Sequence, residues 1–137
     1  MIRVLVVDDH EWVREGLVAV LDAAADVAVV GTGADGPTAL AQAGRLRPDV
    51  ITLDVGMPGM DGLATAEQLR RRHPRGRVLM LSVSVPARAV HRARAAGAVG
   101  YLVKAGDPDE LVAAVRTTAA GGQWWCDQAA AALRSAP

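Results

Sequence analysis

The stretch that decides the fold is Val50-Ile51-Thr52-Leu53-Asp54-Val55-Gly56-Met57-Pro58. A short apolar run, Val50 to Leu53, stops at a carboxylate and then passes into a segment that contains glycine and proline. A run of this length without polar alternation is typical of a strand buried on both faces of a sheet. We therefore expect a central, buried strand with Asp54 at its carboxyl end.

Four similar apolar runs flank this strand. They are Val4 to Val7, Val27 to Val30, Val78 to Leu81 and Val99 to Val103, and the run from Val27 is the weakest. Segments with helical spacing of apolar residues separate the runs. Five alternations of strand and helix predict the α/β class, with a single doubly wound, five-stranded parallel sheet and helices on both faces.

Length and composition narrow the class of protein. The 137 residues suit one domain, which we expect over residues 1–122, with 123–137 either as a C-terminal tail or as a linker towards a further domain. The single Cys126 excludes an internal disulfide framework. Fifteen basic residues balance fifteen acidic ones, which argues against a domain-wide electrostatic grip on nucleic acid. We expect a cytoplasmic protein without a membrane span.

Charged and hydroxyl side chains follow the apolar runs where strands should end. Asp8 and Asp9 follow Val7, Asp54 follows Leu53, and Ser82 and Lys104 end or follow the last two runs. The carboxyl ends of parallel strands share one rim of a sheet, so these groups should converge. Clustered carboxylates need a compensating cation, and oxygen ligands favour Mg²⁺. A carboxylate beside Mg²⁺ and a lysine can accept a phosphoryl group.

Three motifs in order carry a resemblance to a known family. They are VVDDH at residues 6–10, LDVGMPGMDG at residues 53–62 and GYLVK at residues 100–104. The sequence resembles the receiver domains of two-component response regulators, in the NarL/LuxR-type subgroup that precedes helix-turn-helix output domains. The resemblance implies a flavodoxin-like, CheY-like fold with strand order 2-1-3-4-5.

The resemblance also implies a phosphoacceptor and a metal site. Asp54 matches the residue that accepts the phosphoryl group. Asp9 matches the carboxylate that holds Mg²⁺ directly, and Asp8 matches its neighbour that acts largely through water. Gly56 matches the position that lends a backbone carbonyl to the metal, and Asp54 completes the implied ligand set.

A phosphate-binding and switching set is implied in the same way. Lys104 matches the lysine that pairs with phosphoryl oxygens, Ser82 the hydroxyl that moves to bind them, and Tyr101 the aromatic that turns inward. The implied phosphodonor is a sensor histidine kinase, and the implied output is transcription through a LuxR-type DNA-binding domain. Homodimerisation is a further expectation, DNA contact comes only through the output domain, and the chain acts as a switch, not an enzyme.

Two other function classes stay open on the sequence. The first is a receiver-like interaction module that never carries phosphate, although Asp9, Asp54 and Lys104 are all present. The second is a phosphatase of the haloacid-dehalogenase type, which expects its nucleophile in an Asp-x-Asp pattern after the first strand. Residues 8–11 read Asp-Asp-His-Glu instead, which disfavours the phosphatase.

Several polar and aromatic residues have structural interpretations. We expect Asp61 to cap a helix rather than to bind a metal, and Asp107 to cap the last helix with Glu110 three residues later. His10 is interpreted as a surface residue. The arginines at positions 70–72 are interpreted as a solvated helix face. At least one of Trp124 and Trp125 should pack back onto the last helix.

Overall fold

The computed structural model describes residues 1–57 and 59–136, and its strands form one parallel sheet. The strands are β1 (Ile2–Val7), β2 (Val27–Gly33), β3 (Val50–Asp54), β4 (Arg77–Ser82), β5 (Gly100–Val103) and β6 (Trp124–Trp125). Their order across the sheet is β2-β1-β3-β4-β5-β6, and every pairing is parallel. The α/β flavodoxin-like fold with a parallel sheet is therefore confirmed.

Helices cover the sheet in two layers. They are α1 (Glu11–Asp22), α2 (Gly36–Leu46), α3 (Gly62–Arg72), α4 (Ala87–Ala95), α5 (Pro108–Ala119) and α6 (Asp127–Leu133). Helix α1 packs against α5, whereas α2 packs against α3, α3 against α4, and α4 against α6. None of the helices in the described part of the chain is both long enough and apolar enough to cross a bilayer.

The central strands are buried as the apolar runs predict. All five residues of β3 are buried, and so are the last four residues of β1. The side chains of these strands join one hydrophobic core with the inner faces of the helices. Burial on both faces removes backbone polar groups from water, and the parallel ladder satisfies them. This core holds the carboxyl ends of β1 and β3 side by side.

The expected strand number of five is wrong, because the sheet has six strands. Trp124 and Trp125 pair in parallel with Gly100 and Tyr101 at the edge of β5. The backbone N–H of Trp124 donates to the Val99 carbonyl at 3.0 Å. A Cβ atom at position 100 would overlap with the Trp124 carbonyl, so the glycine at position 100 permits the pairing. The first five strands keep the expected order.

The residues that follow Gly122 pack on the domain. The indole N–H of Trp124 donates to Glu110 Oε2 on α5 at 3.1 Å, which confirms that a tryptophan returns to the last of the predicted helices. Asp107 caps α5 by accepting the Asp109 N–H at 2.9 Å, as expected. The Glu110 side chain therefore binds the tail, and α6 beyond it packs against α4.

A close approach at the start of α3 places this helix against β3. Asp61 caps α3 by accepting the Ala64 N–H at 2.8 Å, which confirms its structural interpretation. The N–H of Gly62 donates to the Val55 carbonyl at 3.0 Å. A Cβ atom at position 62 would overlap with the backbone carbonyl of Asp54. Glycine at this position therefore sets the separation between α3 and the end of β3.

We expect Gly62→Ala to destabilise the domain, because the added methyl group must displace either α3 or the backbone of Asp54. Overpacking of this kind costs about 1–3 kcal/mol. Gly16→Ala is the matched control, since a Cβ atom there meets nothing within 4 Å. In the middle of α1 the control should stabilise the chain by about 0.5–1 kcal/mol. Urea unfolding measures both changes, and a Gly62→Ala midpoint at or above that of Gly16→Ala would contradict the packing argument.

Ending the chain after Gly122 should lower the melting temperature. The truncation removes two half-buried indoles and the buried side chains of Cys126 and Ala129. Each tryptophan can bury about 150–250 Å² of surface, much of it apolar. Arg134→Ala is the control, because it changes an exposed residue of the same segment. Calorimetry that gives the truncated chain and the full chain the same melting temperature would show that β6 and α6 contribute no stability.

Candidate functional site

Carboxylates from two neighbouring strands meet at one rim of the sheet. Asp8 and Asp9 directly follow β1, and Asp54 is the last residue of β3. One oxygen from each carboxylate and one nitrogen of His10 all lie within 4.8 Å of one another. Strands β1 and β3 pair in register from Val4–Val50 to Val7–Leu53, which brings their ends level. The structure therefore brings together the three acidic residues that the strand ends predict.

Lys104 connects the ends of three strands. It follows β5, and its Nζ lies 2.8 Å from Asp8 Oδ2 and 3.0 Å from Asp54 Oδ1. Only 7% of the lysine side chain is exposed. Burial lowers the pKa of Lys104, but its bonds to Asp8 and Asp54 outweigh burial, so the net shift of the pKa is upward. The ammonium is therefore a permanent cation within the acidic cluster.

Asp54 lies almost fully out of solvent, with 3% of its surface exposed. Its Oδ1 accepts the N–H of Gly56 at 3.0 Å and faces Lys104. Burial raises the pKa of the Asp54 carboxyl and the adjacent Asp9 carboxyl raises it further, while Gly56 and Lys104 act in the opposite direction. The net shift of the pKa is upward. Burial is therefore the main cause of the upward shift, and Lys104 and Gly56 offset it only in part.

Unpartnered oxygens test whether the site suits a metal ion. Asp54 Oδ2 and Asp9 Oδ1 are buried atoms that accept no hydrogen bond from any residue in the described part of the chain. His10 Nδ1 lies 3.1 Å from Asp9 Oδ1. Buried oxygens without donors are costly, and a hard dication bound by oxygen ligands would satisfy them. The donor set therefore fits a divalent cation such as Mg²⁺.

His10 is a surface residue, as the sequence interpretation expects, and its side chain also joins this cluster. Its side chain is 66% exposed, while its Nδ1 lies 3.5 Å from Asp8 Oδ1. Its backbone N–H donates to the same Asp8 oxygen at 2.9 Å. In the sequence, only the position of His10 next to two aspartates indicated that it could belong to the cluster. The imidazole therefore covers the outer side of the acidic cluster.

Ser82 and Tyr101 lie on neighbouring strands. Ser82 ends β4, and its Oγ accepts the Ser84 N–H at 3.4 Å. Tyr101 is fully buried, and its hydroxyl donates to the Ser84 carbonyl at 3.2 Å. Burial raises the pKa of the Tyr101 phenol. The segment after β4 is therefore hydrogen-bonded both to the end of its own strand and to β5.

Gly56 leaves open space beside the Asp54 carboxylate. A Cβ atom at position 56 would have Asp54 Oδ1, 4.0 Å away, as its only neighbour within that distance among the described residues. The residue itself is exposed. Pro58, which belongs to the same sequence motif, lies outside the described residues. Position 56 thus places no side chain beside the Asp54 carboxylate.

Comparisons with known proteins show the family of this chain. The family model for the response regulator receiver domain matches residues 4–116. The response regulator protein VraR of Staphylococcus aureus is 41% identical over 120 residues, which are 88% of this chain and 57% of VraR. The chain therefore spans little more than half the length of this relative.

Solved structures of similar chains share the fold. The signal receiver domain of NarL from Mycobacterium tuberculosis superposes with a TM-score of 0.84 at 41% identity, over 88% of this chain and 97% of that one. A LuxR-family two-component response regulator from Aurantimonas superposes with a TM-score of 0.91 at 30% identity, over 96% and 94% of the two chains. The chain belongs to the response regulator receiver domain family and is of the NarL/LuxR type.

Proposed function

We propose that this receiver domain accepts a phosphoryl group on Asp54 and changes conformation to control an output. The observation that carries the proposal is the environment of Asp54. Its Oδ2 is buried and accepts no hydrogen bond from the described residues, while its Oδ1 faces the ammonium of Lys104 at 3.0 Å. One oxygen is thus available as a nucleophile, and the other is oriented.

A magnesium site belongs to the proposal. Asp8, Asp9 and Asp54 would hold the ion through carboxylate oxygens, and the backbone carbonyl of Gly56 would complete the protein ligands. When bound, Mg²⁺ neutralises negative charge on the oxygens of the transferring phosphoryl group. The unpartnered oxygens and the raised pKa of Asp54 support this site.

The transfer exchanges one bond to phosphorus for another. A phosphohistidine of a sensor histidine kinase loses its P–N bond, and the imidazole leaves with the electron pair and takes up a proton. The Asp54 carboxylate forms the new O–P bond. Lys104 pairs with a phosphoryl oxygen and stabilises the charge that the transfer brings into the site. Water later hydrolyses the acyl phosphate, which makes the domain a switch that consumes one phosphodonor in each cycle.

Ser82 and Tyr101 are proposed to report the state of Asp54. The phosphoryl group carries about two negative charges and three strong acceptor oxygens in place of the single charge of the carboxylate, so it attracts the Ser82 hydroxyl. The Oγ of Ser82 already accepts the Ser84 N–H, and the Ser84 carbonyl accepts the Tyr101 hydroxyl. A movement of Ser82 therefore displaces the segment that leads into α4 and alters the position of Tyr101.

The proposed cellular role follows from the relatives. We assign a sensor histidine kinase as the phosphodonor and a homodimer as an assembly of the activated form, in the cytoplasm. Control of transcription would pass through a LuxR-type DNA-binding domain that is not in this chain. The similarity to VraR and to a LuxR-family regulator supports these assignments.

A phosphate-independent interaction module is the remaining alternative. Its site would have no need of a buried Lys104 paired with two carboxylates. The hypothesis of a haloacid-dehalogenase-type phosphatase is disfavoured, because the family model that matches is that of receiver domains. Phosphorylation of the purified chain distinguishes the two hypotheses, because only the receiver that acts as a switch should accept a phosphoryl group.

Incubation with acetyl phosphate and Mg²⁺ should add one phosphoryl group, and Asp54→Asn should abolish the addition because the amide is a poor nucleophile. Intact mass measured soon after mixing gives the result. Glu15→Gln is the control, since Glu15 is an exposed carboxylate of α1 and should leave labelling unchanged. Undiminished labelling of Asp54→Asn would move the phosphoacceptor elsewhere, and no labelling of the parent would favour the interaction module.

Mg²⁺ should raise the melting temperature of the parent but not that of Asp9→Asn. At about one hundred times its Kd, a ligand stabilises the fold by about 2.7 kcal/mol. Without Mg²⁺ the variant should melt above the parent, because it removes one charge from the repelling cluster.

The pH dependence of the Mg²⁺ effect has a defined sign. The folded-state pKa of Asp54 lies above the usual value of 3.8. A proton on Asp54 competes with the metal, so the rise in melting temperature that Mg²⁺ produces should shrink as the pH falls through the pKa of Asp54. Glu15→Gln should respond to Mg²⁺ as the parent does. An equal gain in Asp9→Asn would place the metal elsewhere.

A further inference from the structure

The charges of this chain are segregated, although their sum is zero. No Asp or Glu occurs from Gln68 to Gly106, a span that contains eight arginines and Lys104. Lys104 belongs to the acidic cluster described above. The arginines lie mainly at the end of α3, in the segment after it and on α4. The net charge of the chain is zero, yet one part of the molecule is rich in basic residues.

We give the name arginine face to six of the exposed arginines at the end of α3, just after it and on α4. It consists of Arg70, Arg71, Arg72, Arg75, Arg88 and Arg92. Arg70, Arg71 and Arg92 line a groove of about 590 Å³ between α3 and α4, and Asp61 and Glu67 line the same groove. Arg72 and Arg75 line a second hollow of about 560 Å³ beyond the end of α3.

The packing of the two helices holds the arginines of the groove together. The guanidinium of Arg70 donates to the Ala95 carbonyl at 3.3 Å, which ties the end of α3 to the end of α4. A Cβ atom at Gly97 would overlap with the Arg70 side chain, and Gly97 has a φ of +100°. Arg88 precedes Arg92 by four residues on α4, so both lie on one side of that helix.

The arginine face has few negative partners. Arg71 pairs with Glu67 at 3.1 Å. Arg72, Arg75, Arg88 and Arg92 make no ion pair or side-chain hydrogen bond with the residues that the structure describes. Guanidinium groups that outnumber the carboxylates near them repel each other, and an external polyanion would relieve that repulsion.

On helices α1 and α5, in contrast, the arginines have partners within the chain. Arg14 of α1 donates to the Asp8 carbonyl at 2.7 Å, and Arg116 of α5 pairs with Asp26 through two bonds of 2.9 Å. Acidic residues of α1, α5 and their neighbouring loops outnumber these two arginines. Basic groups without intramolecular partners are thus concentrated on the α3–α4 side.

We propose that the arginine face binds the sugar-phosphate backbone of a nucleic acid without reading its sequence. The guanidinium fork matches phosphate oxygens, and such contacts need no apolar anchor. A protein partner would need one, because the hot spots of protein interfaces are buried aromatic and apolar groups beside arginine. The large apolar residues exposed in the described chain are Met1, Trp12 and Val83, and none lies in α3 or α4. The face therefore suits a phosphate backbone better than an acidic protein.

The dimensions also suit a duplex. Helix α3 has 11 residues, which at about 1.5 Å per residue gives roughly 16 Å. A DNA duplex carries one negative charge per about 1.7 Å of its axis, so several phosphates can lie along this face. The interaction does not depend on phosphorylation of Asp54, and the DNA contact passes through the receiver domain itself.

Fluorescence anisotropy with a labelled DNA duplex of unrelated sequence tests the proposal on the full chain. We expect a Kd of roughly 10⁻⁴–10⁻⁶ M at physiological salt, as for other non-specific binding. With about four phosphates contacted, log K should fall against log salt concentration with a slope of about −3.6. Arg88→Glu combined with Arg92→Glu should weaken binding at least tenfold and make the slope shallower by about two units.

Control variants distinguish an effect of the arginine face from an effect of the net charge of the chain. Arg134→Glu alters an exposed arginine at the end of α6 and should change affinity less than twofold. Arg88→Lys with Arg92→Lys keeps both charges and should restore binding to within a few-fold. Circular dichroism checks folding, and if the α4 double variant unfolds, Arg72→Glu with Arg75→Glu takes its place with the same expected loss.

Three results would overturn the proposal. The first is no binding of the parent chain at low salt, and the second is unchanged affinity in the charge-reversal variants. The third is displacement of the duplex by poly-glutamate as efficiently as by unlabelled duplex at equal charge concentration, which would assign the face to an acidic protein segment. None of these results bears on the phosphorylation of Asp54. The proposed nucleic-acid binding can therefore be refuted without refuting the proposed function.

Discussion

The ion pairs of Lys104 with Asp8 and Asp54 are the interaction on which the rest of the site depends. They join the ends of β1, β3 and β5 at distances of 2.8 and 3.0 Å, in a place where almost no water reaches. A buried charge is tolerated only when it is paired and hydrogen-bonded. Here one ammonium pairs with two carboxylates, and a third carboxylate, that of Asp9, belongs to the same cluster, so negative charge remains that a further cation can offset. The same imbalance gives the rim its capacity to respond to a change of charge at Asp54.

Much of the site could be predicted from the sequence because strand ends are visible in it. Apolar runs stop abruptly at Asp8, Asp54 and Lys104, and parallel strands bring such ends to one rim. The positions of these side chains followed from that rule, whereas their chemical roles remain proposals. The caps at Asp61 and Asp107 were also predicted, because short acidic side chains before a helix have a local reason to be there.

Other features depend on contacts that no local pattern reveals. Strand β6 has two residues, which is too short for any periodicity, and it forms because Gly100 lets another backbone approach. Glu110 stands where a capping residue is expected, yet its carboxylate binds the Trp124 indole. Distant pairings of this kind appear only when the chain is folded. The arginine-rich span from Gln68 to Gly106 differs from these two features, because it is visible in the sequence although the net charge of zero does not reveal it.

The two edges of the sheet have a consequence for the behaviour of the protein at high concentration. An exposed edge strand presents unpaired N–H and C=O groups that can recruit strands from other molecules. Here one edge strand, β2, pairs with β1 through a register shift between Val4 and Leu5, which disturbs a regular ladder. At the other edge, β6 covers β5 and is itself only two residues long. The irregular ladder of β2 and the shortness of β6 both disfavour growth of the sheet into β-aggregates.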